Sequence, residues 1–222
     1  MTATQLHQHQ YQHQLHYQIT PADYRALRTR LSAAAPDERG DSCVHMLQFY
    51  SYRNQILSLP ESPAEPRFSL CYYDNDPTYL FLERQLGEEC TSAMVAEAEC
   101  RALLSGETDW LLERRNPVLR EFHDCLESQM LLPQVLLTFH REFYTLDGLD
   151  LWVALDTDVR SSLQHMDFLD PELLARDTAG QEGQLRLEIG YSSTIPDEVL
   201  SIFVETAPRR KPLPAGTAAR CY

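Results

Sequence analysis

A chain of 222 residues with a formal charge of -14 is long enough for one large core, and its acidic balance argues against nucleic acid, anionic membrane surfaces and free polyanions as long-range partners. The six cysteines (Cys43, Cys71, Cys90, Cys100, Cys125, Cys221) form no CxxC pair and no zinc-like spacing, so they read as free thiols. No apolar run approaches membrane-spanning length and the N-terminus is Gln/His-rich, which points to a cytoplasmic protein without direct membrane insertion.

Residues 1–10 are expected to fray, and 11–222 to form a single domain. Read at period two, the first strand puts Tyr11, His13, Leu15, Tyr17 and Ile19 on one face. Its other face is a row of uncharged hydrogen-bonding groups, Gln12, Gln14, His16 and Gln18. Thr20 caps a helix with Pro21 at its first position and Asp23 at its third, and Tyr24, Leu27 and Leu31 make its apolar stripe. A turn over Pro36 to Asp41 leads to a strand from Val44 to Tyr52.

The Pro60, Pro63, Pro66 cluster marks a loop. Strands from Arg67 to Tyr73 and from Tyr79 to Gln85 then form a hairpin around Asp74-Asn75-Asp76-Pro77. Ser92 is expected to cap a helix through Leu104, and a longer helix runs from Asp109 to Met130, interrupted at Pro117. Three strands follow: Val135 to Tyr144, Leu149 to Val159 after the turn Asp147-Gly148, and Gln184 to Tyr191. A helix start at Asp170-Pro171 lies between the last two, and a short helix over Asp197 to Glu205 precedes a Pro-rich tail. The fold class is α+β: a closed or nearly closed antiparallel β-tunnel of about eight strands with flanking helices, since closure hides so many strand edges.

Six stretches along the chain resemble the polyphosphate polymerase domain of the vacuolar transporter chaperone (VTC) family, in the triphosphate tunnel, or CYTH-like, superfamily. Gln12-His13-Gln14-Leu15-His16-Tyr17 is similar to its opening Arg-His-Glu-Leu-Lys-Tyr strand, with the charges neutralised or softened. Arg67-Phe68-Ser69-Leu70-Cys71-Tyr72-Tyr73 resembles Lys-Phe-Arg-Ile-Arg-Tyr-Tyr, with Ser69 and Cys71 where two arginines would stand. Leu82-Glu83-Arg84-Gln85 and Glu188-Ile189-Gly190-Tyr191 match Leu-Glu-x-Lys and Glu-x-Lys-Tyr, keeping both glutamates and losing both lysines. Arg141 fits a Tyr-x-Arg-x-Ala-Tyr strand, and Asp156 with Arg160 fits Thr-Phe-Asp-x-x-Ile-Arg. The alternative is an unrelated antiparallel barrel whose Gln-rich wall binds sugar or peptide.

The resemblance implies a tunnel whose inner wall carries Gln12, Gln14, His16, Ser69, Cys71, Gln85 and Gly190. Glu83, Asp156 and Glu188 would be opposed there by Arg67, Arg141, Arg160, Arg186 and Arg220. Threading a polyanion requires several fixed cations to offset its desolvation, and this wall is close to neutral. Glu83 and Glu188 are the candidate ligands for Mn or Mg, with Gln14 in place of a further carboxylate. The expectation is a catalytically degenerate member that binds, regulates or scaffolds. Its partner would be another protein, an active polymerase or a membrane partner, or a phosphate-containing ligand. The enzyme alternative is a diverged metal-dependent phosphotransferase or hydrolase on polyphosphate or a triphosphate, using Arg141, Arg160 and a metal on Glu83 and Glu188.

Other constellations carry blander readings. His7, His9 and His13 alternate as zinc or nickel ligands would, but no carboxylate or cysteine completes the set nearby. Cys71 with His16 would make an activated thiol pair, against which stands a buried inert thiol. The apolar stripe running from Trp110 through Leu119 and Phe122 to Met130 is read as packing on the barrel's outside, with a partner surface as its alternative. Arg209-Arg210-Lys211 reads as a solvated tail.

Overall fold

The computed structural model describes residues 12–35, 39–52, 65–146, 150–162, 168–170, 179–180, 184–195 and 211–212. Strand β1 (His13–Ile19) leads into helix α1 (Pro21–Ala34). Thr20 caps this helix: its hydroxyl accepts the Asp23 N–H at 3.2 Å, and Asp23 accepts the Thr20 N–H at 3.1 Å. Strand β2 (Arg39–Ser51) takes in Arg39 to Asp41, which the sequence reading assigned to a turn. Strands β3 (Arg67–Tyr73) and β4 (Asp76–Leu86) meet at Asp74 and Asn75, whose φ values of 55° and 58° suit a two-residue hairpin.

The helix expected from Ser92 begins later. Glu89–Val95 is strand β5, paired with β4 across a turn at Gly87 (φ 61°), and helix α2 (Glu97–Leu104) starts only after Ala96, whose N–H is accepted by Glu99. Pairing with β4 on a half-buried face overrides the Ser92 cap signal. The next helical stretch is interrupted as expected, into α3 (Trp110–Glu113) and α4 (Pro117–Gln129). Asn116 caps α4 and Pro117 opens it. Strands β6 (Leu131–Thr145), β7 (Leu151–Ser162) and β9 (Leu185–Tyr191) follow, with two-residue strands β8 (Ala179–Gly180) and β10 (Lys211–Pro212) at the margins. The N-terminal ten residues, the turn at Asp147-Gly148, the helix over 197–205 and Arg220 lie outside the described residues.

Eight antiparallel strands close into a barrel in the order β1-β5-β4-β3-β2-β6-β7-β9, with β9 returning to β1 over His13↔Tyr191 to Ile19↔Leu185. Alternation divides each strand between an outer and an inner face. Outside, Leu27 and Leu31 of α1 pack on Ile19, Val153, Leu187 and Ile189. On another flank Leu119 and Phe122 of α4 pack on Phe49, Phe68, Leu70 and Leu82, with the Phe122 ring 5.0 Å from both Phe49 and Phe68. The helical stripe read from the sequence therefore lies on the barrel, while Leu112 and Met130 at its margins are exposed. Among the described residues no helix is long and apolar enough to cross a membrane.

Candidate functional site

The inner face follows from the same alternation. Leu15, Tyr17 and Ile19 of β1 turn outward to the α1 core, which sends Gln14 and His16 into the barrel. Successive inward residues run Tyr73, Cys71, Ser69, Arg67 on β3; Phe81, Glu83, Gln85 on β4; and Phe143, Arg141, Phe139 on β6. On β7 they run Trp152, Ala154, Asp156, and on β9 Gly190, Glu188, Arg186. At one end the inward positions are aromatic, next come charged groups, and beyond them lie amides and two arginines.

At the charged level Arg141 is 8% exposed and spans three strands. Its Nε donates to Asp156 Oδ1 at 2.7 Å and its Nη2 to Asp156 Oδ2 at 2.9 Å, while Nη2 also donates to Glu188 Oε2. The guanidinium carbon lies 5.2 Å from the Phe139 ring centre and 5.7 Å from that of Trp152. Burial alone would lower the pKa of this group, but Asp156 and Glu188 outweigh it and hold it well above the ordinary value. Arg141 is thus bound by carboxylates on two neighbouring strands and flanked by aromatic rings.

The aromatic end is filled. Tyr73, Phe81, Phe143 and Trp152 are all buried there, in a cluster inside the barrel that Phe139 continues on the far side of Arg141. Two glycines make room for it: a Cβ on Gly40 would meet the Phe143 ring, and one on Gly190 the Trp152 indole. Gly190 is the position where the resemblance places a lysine, and the space that lysine would need is taken by Trp152. No motif pointed to Trp152. The available signal was a glycine in a lysine frame, with a tryptophan on the adjacent strand.

The opposite half is reached by solvent: His16, Gln48, Arg67, Ser69, Gln85 and Arg186 face inward and are only partly buried. Arg67 donates to Gln85 Oε1 at 3.1 Å, and Ser69 Oγ donates to Glu83 Oε2 at 3.2 Å. Burial pushes the Glu83 carboxyl up and lowers the pKa of Arg186. His16 Nδ1 lies 3.8 Å from Glu188 Oε2, and burial lowers the imidazole's pKa despite that carboxylate. Among the described residues three arginines (Arg67, Arg141, Arg186) thus face three acids (Glu83, Asp156, Glu188) in the lumen, while Arg220 of the expected set lies outside them.

The structure brings together Gln14, His16, Arg67, Ser69, Cys71, Gln85, Arg141, Asp156, Glu83 and Glu188. Gln12 is exposed at the barrel's edge, where its carbonyl accepts the Cys90 N–H at 2.9 Å. Arg160, expected on the tunnel wall, is elsewhere: an extra residue in β7 at Asp158 (φ 51°) reverses the alternation, so that Val159 points inward. The Arg160 side chain is 43% exposed and pairs with Asp158 at 3.0 Å. Cys71 donates weakly to the Phe81 carbonyl at 3.7 Å, and burial pushes its thiol well up, which fits an inert thiol rather than a nucleophile. His13 stacks on Tyr191 at 5.1 Å, whereas His7 and His9 fall outside the described residues.

The resemblance drawn from the sequence implies a divalent metal, and the donor set does not fit one. Glu188 is taken by Arg141, Glu83 accepts from Ser69, and Gln14 offers an amide. Among the described residues no three His, Cys, Asp or Glu side chains converge as metal ligands would.

No family model matches the sequence, and no curated protein does. Among solved structures, a candidate adenylyl cyclase from Hippeastrum with a dominant triphosphatase activity is similar at 12% identity and a TM-score of 0.55, over 93% of this chain and 92% of that one. A candidate adenylate cyclase from Bacillus halodurans is similar at 12% identity and a TM-score of 0.54, over 90% and 89%. At such identities the likeness is one of fold, an eight-stranded closed antiparallel barrel with flanking helices.

Proposed function

We propose that this chain is a degenerate, polyphosphate polymerase-like domain of the VTC type, which acts as a binding, regulatory or scaffold protein rather than as a polymerase. The observation that carries this reading is the engagement of Arg141 by both Asp156 and Glu188. Phosphoryl transfer needs cations positioned on phosphate oxygens and a metal to neutralise developing charge. Here an interior cation is spent on interior carboxylates, a carboxylate suited to a metal is closed by that cation, and the aromatic cluster blocks passage of a long chain. The partner would be another protein, such as an active polymerase or a membrane partner.

A second reading, a diverged metal-dependent phosphotransferase or hydrolase on polyphosphate or a triphosphate, draws on Arg67 and Arg186 in the solvent-reached half. It also draws on the activities named for the two similar structures. Calorimetric titration with tripolyphosphate and long-chain polyphosphate at low salt, with and without manganese, separates the two. Weak or absent binding that manganese leaves unchanged supports the degenerate domain, whereas tight manganese-dependent binding overturns it.

A further inference from the structure

The outer wall of the barrel gathers a second set of reactive side chains. On β2, Val44 and Met46 face the lumen, so Cys43 and His45 face outward, with Leu47 and Phe49 of the outer core next along the strand. On β6 the lumen takes Phe139 and Arg141, which sends Thr138 and His140 outward. The register then sets His140 directly across from Cys43 and Thr138 across from His45. One thiol and two imidazoles therefore share a small patch of wall, and Cys43 is the least enclosed cysteine among the described residues.

The separations suit shared coordination. Cys43 Sγ lies 3.7 Å from His45 Nε2. Two ligands of one tetrahedral zinc ion stand about 3.5 Å apart, because the bonds are about 2.3 Å to sulfur and 2.0–2.1 Å to nitrogen. His45 is also fixed as a ligand needs to be: it is 3% exposed and its ring stacks on Tyr72 at 4.7 Å. Its Nδ1 lies 3.3 Å from Thr138 Oγ1, a hydroxyl able to accept an Nδ1–H and so leave Nε2 for a metal. Burial, with Asp74 and Asp158 behind it, pushes the Cys43 thiol up, and the same carboxylates attract a dication.

As they stand, the three side chains do not converge. His140 leans to Asp41, with Nε2 3.5 Å from Oδ2, and Asn75 Oδ1 lies 2.7 Å from His45 Nε2. Both obstacles are at the surface: the His140 side chain is 47% exposed, and Asn75 is on the exposed tip of the β3–β4 hairpin. Opposed residues hold their Cβ atoms about 4.5–5.5 Å apart. A turn of the His140 ring therefore reaches an ion at Cys43, while Asn75 exchanges its bond to the imidazole for water.

We infer that Cys43, His45 and His140 form a zinc site on the outer wall, with water as the fourth ligand. Zinc replaces the thiol proton, which leaves to solvent, and ties β2 to β6. Thiolate and imidazole select zinc over magnesium or manganese, so this site differs in place and in chemistry from the metal implied for the lumen.

The test titrates cobalt, a spectroscopic stand-in for zinc, into the full chain. One equivalent is expected to give a thiolate-to-cobalt charge-transfer band with the visible bands of a four-coordinate ion, and zinc to displace it. Cys43→Ser is expected to lose the charge-transfer band. His140→Gln, at an exposed position, is expected to weaken cobalt by at least about tenfold, the loss that even a group behind a ligand causes. Zinc is expected to raise the thermal midpoint of the unaltered protein and to leave that of Cys43→Ser unchanged. No charge-transfer band, a band that survives Cys43→Ser, or an affinity indifferent to His140→Gln would overturn the inference. Cobalt held only by the histidines near the N-terminus shows no thiolate band and counts among those results.

Discussion

Trp152 on β7 lays its indole across Gly190 on the adjacent strand β9, so that a Cβ at position 190 would stand within the ring. The glycine and the tryptophan form one packing unit. Gly190→Ala is expected to cost about 1–3 kcal/mol through overpacking, and Gly190→Lys, which restores the residue of the resembled motif, to cost more. The unit is tested by a double-mutant cycle with Trp152→Ala in urea denaturation. Because truncating the indole empties the space that a side chain at 190 needs, the pair should be less destabilised than the sum of its parts by about 1 kcal/mol or more. Additive effects would show that the two residues do not share that space.

Arg141 is the electrostatic counterpart of that unit. Arg141→Met leaves Asp156 and Glu188 buried without their cation, and the expected loss is about 3–5 kcal/mol. Arg141→Lys should recover only part of it, because an ammonium cannot make the two parallel bonds to Asp156 while reaching Glu188. Neutralising all three, with Asp156→Asn and Glu188→Gln beside Arg141→Met, is expected to restore much of the stability. Chemical denaturation of the three variants checks this order, and a harmless Arg141→Met would mean that the buried acids are relieved in some other way.

Several of these features were legible in the sequence and others were not, for physical reasons. The polar row Gln14 and His16 could be placed on the inner face because period-two alternation is local, and the Thr20 cap because its partner Asp23 is three residues away. Strand β5 was hidden: Glu89 to Val95 holds small and polar residues with an apparent cap at Ser92, and only its pairing with β4 makes it a strand. Arg160 was misplaced because a one-residue bulge at Asp158 turns every later side chain over, and a bulge leaves no mark in the pattern. The closure of Arg141 on Glu188, from a strand 47 residues further along, is a matter of tertiary register alone.

Two glutamates, Glu83 and Glu142, should pull stability in opposite directions with pH. Burial pushes the Glu83 carboxyl up, so folding favours its protonated form. That contribution is complete below the unfolded-state pKa and is lost as pH rises through the folded one. For Glu142, burial acts upward as well, but bonds from Arg28 (2.8 Å), Tyr144 (3.0 Å) and Tyr24 (3.1 Å) outweigh it and hold the carboxyl below its usual range. Its contribution is present above the unfolded-state pKa and is lost as pH falls through the folded one. Glu83→Gln is therefore expected to raise the denaturation midpoint near neutral pH and to change little in acid. Glu142→Gln should lower it near neutral pH, by about 1.5–3 kcal/mol for charged hydrogen bonds, and matter least in acid. Midpoints measured across the acid to neutral range read both, and parallel pH profiles for the two variants would sink the assignment.

Metal binding provides the sharpest contrast between the barrel as built and what its residues could do once released. In the unaltered protein Glu188 and Asp156 are both held by Arg141, so manganese is expected to leave the thermal midpoint unchanged. Arg141→Met frees two carboxylates on adjacent strands, and Glu83 is part of the same charged level of the lumen. Hard oxygen donors released in this way are the ligand type a divalent cation takes. Although less stable in buffer, the variant should gain stability with added manganese, by about 2.7 kcal/mol where the metal reaches a hundred times its dissociation constant. Thermal denaturation of both proteins with and without manganese decides the matter. A manganese response already present in the unaltered protein would show that Arg141 does not close the carboxylates to metal, and the strongest argument against phosphoryl transfer in this barrel would fall with it.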